Sequence, residues 1–308
     1  MSDEEQKFLV VIGGATATGK TELAIRVARH FDTEIISADS RQIYREMSVG
    51  TAKPSESELA AVPHHFIGSV SIHEPYSVGR YEADVMASLE QLYRKHRVVV
   101  MAGGSGLYLK AVCEGLDVFP SVPDAVVADL NLTAEEPDGL RCLQQELKRL
   151  DPSYYRTVDI MNPRRLVRAL SICYVTGLPY SRFLGSGRKT RPFTPVHLLL
   201  GMDRQERFGR IDARVDQMLA AGLEQEVRSL FPYRHLQALQ TVGYQEMFRH
   251  VEGEISLATA VGLIRQHTRQ YAKRQDTWFR NQGGWTPFHP SDSAAVIEHL
   301  DGLLRLGT

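Results

Sequence analysis

The stretch Phe8–His30, FLVVIGGATATGKTELAIRVARH, decides how the rest of the chain is read. Phe8 to Ile12 is an unbroken apolar run, rich in β-branched residues and ending in glycines, as expected of a strand buried on both faces. From Glu22 to His30, Leu23, Ala24, Val27 and Ala28 fall at helical spacing. Between them stands Gly14-Ala15-Thr16-Ala17-Thr18-Gly19-Lys20-Thr21, which fits G-x-x-x-x-G-K-[ST] in the strand–loop–helix context that the motif requires. The N–H groups of such a loop, with the helix N-terminus behind them, form an anion nest; Lys20 adds positive charge, and the Thr21 hydroxyl suits Mg²⁺. This is a diphosphate-binding or nucleotide-binding loop. Alone, it leaves open whether the ligand is ATP or another diphosphate ester.

The same alternation continues outward. EIISAD, Glu34–Asp39, and RVVVMAGG, Arg97–Gly104, are further short apolar runs, so the expected fold class is α/β, a P-loop core with a parallel sheet. Asp39 ends the second strand, at the sheet edge where open α/β folds bind ligands. It reads equally as a proton-accepting or metal-facing carboxylate and as a helix cap before RQIYREM. Ser105, after Gly103-Gly104, ends the RVVVMAGG strand at the same edge. Beyond FPSVPD the periodicities at Leu140–Leu150 and Pro163–Thr176 are helical with no strand between them, which marks an inserted helical subdomain. HLLLGMD, His197–Asp203, reads as a return strand. Helices over Gln205–Ala221 and Leu223–Leu230 follow, and a long helical reach through Glu254–Arg280 ends the chain. The expected parts are residues 1–119 for the first part of the core, 120–195 for the insertion and 196–308 for the completion of the core.

The chain has 308 residues, 43% hydrophobic and 24% charged, enough for a large core and unlike a disordered or collagenous sequence. Its 36 basic against 37 acidic residues exclude a uniformly basic coat, so any polyanion must meet local patches. Cys113, Cys142 and Cys173 lie far apart without metal-like or disulfide-like spacing, consistent with a reducing cytoplasm. MSDEEQK followed by FLVVIGG fits neither a signal peptide nor a membrane span, so no membrane partner is expected. His64, His65 and His73 read as structural.

Two basic islands interrupt the neutral average. Between Tyr154 and Arg191 the residues Arg156, Arg164, Arg165, Arg168, Arg182, Arg188, Lys189 and Arg191 face the single acid Asp159, a local net of +7. On the last helix Arg265, Arg269, Lys273 and Arg280 fall within an arc of roughly 80°, with Tyr271, Trp278 and Phe279 interleaved. Either island alone reads as a solvated face; both beside a phosphate loop favour a nucleic-acid backbone. Trp278 and Phe279 are expected in the core rather than as stacking platforms.

GATATGKT, ISADSRQIYREMSVGTAKP, VPHHFIG, MAGGSGLYLKAV, NPRRLVRAL, RIDARVDQMLAAGLEQEV, TVGYQE and TRQYAKRQDTWFRN occur in that order. Together they resemble the tRNA isopentenyltransferase family, the tRNA dimethylallyltransferases, from about Leu9 to Arg280. The resemblance implies a P-loop core with an inserted helical tRNA-binding subdomain. It implies transfer of a dimethylallyl group from dimethylallyl diphosphate to N6 of the adenosine 3′-adjacent to the anticodon, in tRNAs reading codons that begin with U. It assigns Gly14 to Thr21 to the prenyl diphosphate and Asp39 to the role of general base. Lys20, Thr21 with Mg²⁺ and Arg214 are assigned to the departing diphosphate, and Ser105 to positioning the adenine. It further gives Asp39, Ser40, Arg41, Gln42, Ser105, Arg164, Arg165, Arg168, Gln240, Gly243, Gln245, Lys273 and Arg280 to the tRNA anticodon stem-loop. A cytoplasmic monomer is expected.

This chain departs from the family pattern at four places. Ala15 stands where the loop usually has proline, Ser105 where GGT has threonine, and Gly68 where an aspartate usually follows the paired histidines; the insertion also lacks an arginine near Val126 and Val127. Two other readings of the chain are a P-loop small-molecule kinase using ATP and a non-catalytic tRNA-binding paralogue.

Overall fold

The structure, a computed structural model, describes residues 6–185 and 189–305. Arg188 of the basic island and residues 1–5 of the acidic start lie outside them.

The chain divides into two compact units, Met1–Cys113 with Arg191–Thr308, and Glu114–Thr190. In the first, β1 (Phe8–Gly14), α1 (Lys20–His30), β2 (Ile35–Ser37), α2 (Glu56–Ala61), β3 (His64–His65), α3 (Val78–Leu92), β4 (Val98–Gly103) and α4 (Gly106–Glu114) precede the insertion. The insertion holds α5 (Asp124–Glu135), α6 (Gly139–Leu150), α7 (Pro152–Tyr155) and α8 (Pro163–Thr176). After it come β5 (Thr194–Leu200), α9 (Arg204–Ala220), α10 (Leu223–Leu230), α11 (Tyr244–Val251), α12 (Leu257–Gln282), β6 (Thr286–Phe288) and α13 (Ser293–Arg305).

The six strands form one parallel sheet in the order β3-β2-β4-β1-β5-β6. Every residue of β1 is buried, and its side chains alternate between two cores. Leu9 and Val11 join one with Val99, Met101 and Tyr81, while Phe8, Val10 and Ile12 join the other with Leu23, Val27 and Leu300. A strand covered on both faces has no polar side to alternate, which is why its sequence is a continuous apolar run.

This register brings the loops that follow the inner strands to one edge. Gly13 pairs with Gly103, and Ser37 with Ala102. Where β2 leaves the sheet, Ala38 N–H donates to Ala102 O at 2.8 Å. A Cβ on Gly103 would stand 2.1 Å from Ala38 O, so glycine alone admits this approach.

The insertion has its own core, built by Leu130, Leu143, Leu147, Leu166 and Leu170. Asp151, 1% exposed, accepts bonds from Tyr154 N–H, Ser181 N–H and the Ser181 hydroxyl, so a buried carboxylate ties α7 to the turn after α8. The two ends of the insertion meet, with Lys189 N–H donating to Glu114 O at 2.9 Å.

Several expectations shift. The return strand starts at Thr194, ahead of His197 and of the Pro195 boundary. The long helix does not end the chain, since β6 and α13 follow it. Between Asp39 and Arg97, α2, β3 and α3 stand where no element is expected, and α5 adds a helix to the insertion.

Candidate active site

One cavity of about 1110 Å³ gathers residues from distant parts of the first unit. Its lining includes Thr16 to Thr21 from the phosphate loop, Asp39 after β2, Gly103 and Gly104 after β4, Arg214 on α9, and Tyr271 and Gln275 on α12.

The phosphate loop is held in an unusual backbone shape. Gly19 takes φ +79° at the start of α1, and Ala17, without glycine's freedom, takes φ +64°. Such left-handed residues turn successive N–H groups toward one point, the geometry of an anion nest. Ala15, in place of the family's proline, is 1% exposed and packs with Ala17, Ile211 and Ala272. Lys20 Nζ donates to Ala15 O at 2.6 Å, and the Thr18 hydroxyl donates to the same oxygen at 2.8 Å. Burial, and then the neighbouring Arg214 charge, pull Lys20 down to about 7, against an opposing pull from Asp39. Arg214 is likewise lowered by burial and supported by Asp39. Burial of Lys20 and Arg214 is only partly offset by Asp39, an environment that favours an anion beside them.

At Asp39 the structure shows a turn cap rather than the helix cap. Its Oδ1 accepts Arg41 N–H at 2.8 Å and Gln42 N–H at 3.1 Å, so it caps a turn, and Arg41–Met47 forms no helix. The same carboxylate lines the cavity. Ser105 is not part of the cavity lining. Its Oγ accepts Ser40 N–H at 3.0 Å and its own N–H donates to Ala38 O, so it joins the β4 end to the Asp39 turn.

The other expected contacts separate into groups. Arg41 donates to Gln237 O and Ala238 O, and Gln42 donates to Thr51 O and Ala52 O, so both side chains brace loops. Gln245 donates to Gln240, and Gln240 to Arg234 O. Gly243 is buried with φ +96°, its N–H on Glu246. On α12, Arg269 pairs with both oxygens of Asp212 at 2.7 Å and Arg265 pairs with Asp216, which removes half of the expected stripe from free charge. Lys273 and Arg280 are exposed and outside those pairs. Arg164, Arg165 and Arg168 are exposed on α8, with Arg168 over the Phe119 ring at 4.9 Å. Phe279 is buried and Trp278 packs against the core, as expected.

Sequence reasoning missed two groups that shape the cavity. Glu226 accepts N–H bonds from Ser48, Val49 and Gly50, each at 2.8 Å, and one from the Tyr244 hydroxyl at 2.6 Å. It thereby fixes the loop whose Ser48, Val49 and Thr51 form a cavity wall. Gln275, 7% exposed, is the second. Its signal was available: on α12 it shares a face with Ala272 and Phe279, so a polar residue interrupts a buried stripe. Glu226 has no such marker. Gly68, where an aspartate is usual, adopts φ +58°, which glycine takes without strain.

The donors available for a metal are oxygens: the Thr21 hydroxyl and the Asp39 carboxylate line the same cavity. Among the described residues no group of three or more His, Cys, Asp or Glu forms a cage. That set suits Mg²⁺, which keeps waters and takes phosphate oxygens, rather than a transition metal.

Comparison with known proteins fits this geometry. The IPP transferase family model matches residues 42–282. The tRNA dimethylallyltransferase of Christiangramia forsetii is 52% identical over 300 residues, covering 97% of this chain and 99% of that protein. That alignment is long enough to take in the phosphate loop and Asp39, which precede the family match. Among solved structures, the full-length tRNA isopentenylpyrophosphate transferase of Bacillus halodurans is similar at TM-score 0.73 and 31% identity, covering 99% and 98% of the two chains. A eukaryotic dimethylallyltransferase described as acting on tRNA is similar at TM-score 0.75 and 28% identity, covering 89% of this chain and 70% of that one.

Proposed function

The chain belongs to the IPP transferase family and is a prenyltransferase that moves a dimethylallyl group to tRNA; from that premise we propose how its residues divide the work. The acceptor is the N6 amine of the adenosine 3′-adjacent to the anticodon, in tRNAs reading codons that begin with U, and the donor is dimethylallyl diphosphate. The observation that carries the assignment is one cavity lined both by the Lys20–Arg214 cation pair and by the Asp39 carboxylate.

Bond making and breaking balance at these groups. The N6 lone pair bonds to the prenyl C1 while the C1–O bond breaks, and its electron pair leaves on the diphosphate. Lys20, Arg214 and the N–H groups of the loop receive that charge, usually the largest contribution in such a site. Asp39 takes the N6 proton; its bonds to Arg41 and Gln42 N–H fix the carboxylate before the substrate arrives. Ser105, through Ser40, holds the turn that carries Asp39. Thr21 would hold Mg²⁺, which when bound supplies further positive charge to the diphosphate oxygens.

An amine inside an anticodon loop reaches such a cavity only when its base is extruded. Arg164, Arg165 and Arg168 on the insertion, with Lys273 and Arg280 on α12, are the charges assigned to the tRNA backbone. A cytoplasmic monomer belongs to the same proposal. Among the described residues no helix is long and apolar enough to cross a membrane. The relatives favour neither an ATP-dependent kinase nor a non-catalytic paralogue.

Labelled dimethylallyl diphosphate offered with tRNA, AMP or ATP in separate reactions tests the reading. Label should pass to tRNA alone and lie on the adenosine beside the anticodon. Label on AMP or ATP, or tRNA binding without turnover, would reject it.

A further inference from the structure

A buried primary amide is costly unless its oxygen and its N–H groups are both engaged. Gln275 engages both ends of its amide by bridging the loops that follow β1 and β4, one residue or more beyond the point where those strands pair at Gly13 and Gly103. Its Oε1 accepts Thr16 N–H at 2.8 Å, and its Nε2 donates to Gly104 O at 2.9 Å. Gly104 makes room for it, since a Cβ there would stand 2.4 Å from Nε2. Thr16 is gripped again by Arg214, whose guanidinium donates to the Thr16 hydroxyl at 3.2 Å. Next to Gln275, Asp276 pairs with Arg207 on α9 at 2.7 Å, so the helix presenting the amide is itself anchored.

The two bonded backbone groups belong to opposite sides of the transfer. Thr16 lies in the loop assigned to the diphosphate, and its N–H is spent on Gln275 rather than left for the anion. Gly104 precedes Ser105, which holds Ser40 beside Asp39. We propose that Gln275 is a positioning residue that sets the separation between the diphosphate-holding loop and the Asp39–Ser105 edge, and so the distance the amine must span to the prenyl carbon. The role rests on the transfer function argued above.

The chemistry calls for an amide. Gly104 O needs a donor and Thr16 N–H needs an acceptor, and one planar group supplies both. An ionised carboxylate keeps the acceptor, loses the donor and adds negative charge beside the diphosphate. An aliphatic side chain leaves both backbone groups unpaired.

Single-turnover transfer to tRNA at saturating substrates, measured from pH 6 to pH 9 with tRNA affinity followed separately, tests this. For Gln275→Leu the rate should fall about tenfold to a hundredfold, the usual cost of a displacement near 1 Å, with tRNA affinity held within about twofold. For Gln275→Glu the deficit should widen as pH rises and the carboxylate ionises, then shrink toward wild type in acid. A purely structural role would lower stability without bending that profile. A Gln275→Leu rate within twofold of wild type, a loss confined to tRNA affinity, or a Gln275→Glu profile parallel to wild type would each overturn the role. Should Gln275→Leu not fold, the Gln275→Glu profile alone decides. Absence of transfer by the wild type would instead overturn the function, and this role with it.

Discussion

Lys20 sits in the cavity with its proton held weakly, down to about 7 from an ordinary 10.5, because burial and Arg214 outweigh Asp39. A bound diphosphate reverses that balance by supplying the missing counter-charge. Above pH 7 the free enzyme should release this proton more readily than the complex, so binding should take up protons and weaken as pH climbs. Calorimetry of dimethylallyl diphosphate binding at pH 8, in buffers of differing ionisation enthalpy, measures the uptake; zero net uptake contradicts the prediction. Asp39→Asn should keep diphosphate affinity yet slow transfer by about 10² or more, the usual value of a positioned base. A near-normal rate at saturation removes Asp39 from that role. Both residues were legible because each stands in a short local string with its own physical signature, a phosphate loop and a carboxylate at a strand's end. For Gln275 the sequence carries the polar break in a buried stripe but not the partner, since Thr16 lies 259 positions away and only the fold joins them.

Among elements, α12 was read as one basic face, and the structure divides it. Arg265 and Arg269 are occupied by Asp216 and Asp212 of α9, whereas Lys273 and Arg280 stand free of those pairs. Lys273→Ala should therefore reduce the salt slope of tRNA binding by roughly 0.7 to 0.9, and Arg269→Ala should leave the slope nearly unchanged. Filter-binding titrations across a salt series measure both; equal slopes for the two variants would remove α12 from the contact surface or restore Arg269 to it. Sequence could place the charges on the helix but not the acids on its neighbour that cancel them. Long periodic helices such as α8 and α9 were legible from their apolar spacing. In α5 only Leu130 is buried, and β3 and β6 are too short to show any period, so these elements left no pattern to read.

The molecule as a whole inserts one compact unit into another, and the ends of the insertion meet at the bond from Lys189 to Glu114. Because the inserted unit has its own core, replacing it with a short Gly-Ser linker should leave a cooperatively folding remainder that binds dimethylallyl diphosphate within a few-fold of the intact chain and binds tRNA much more weakly. Unchanged tRNA affinity would contradict the assignment of Arg164, Arg165 and Arg168. A parallel core and a helical insertion were legible from the alternation of patterns, whereas the boundaries fell where turns and strand starts share the same residues, as at Thr194 and Pro195. The sheet's outer strands carry one more consequence. β3 offers only His64 and His65, and β6 is three residues with Pro287, which lacks an N–H, at its centre. A neighbouring chain seeking to extend the sheet finds no ladder long enough to continue, so crowding should not drive this protein into fibrils through its edges. Pro287→Val would restore an N–H to that edge, and light scattering on concentrated samples should then rise with time while the parent solution stays clear.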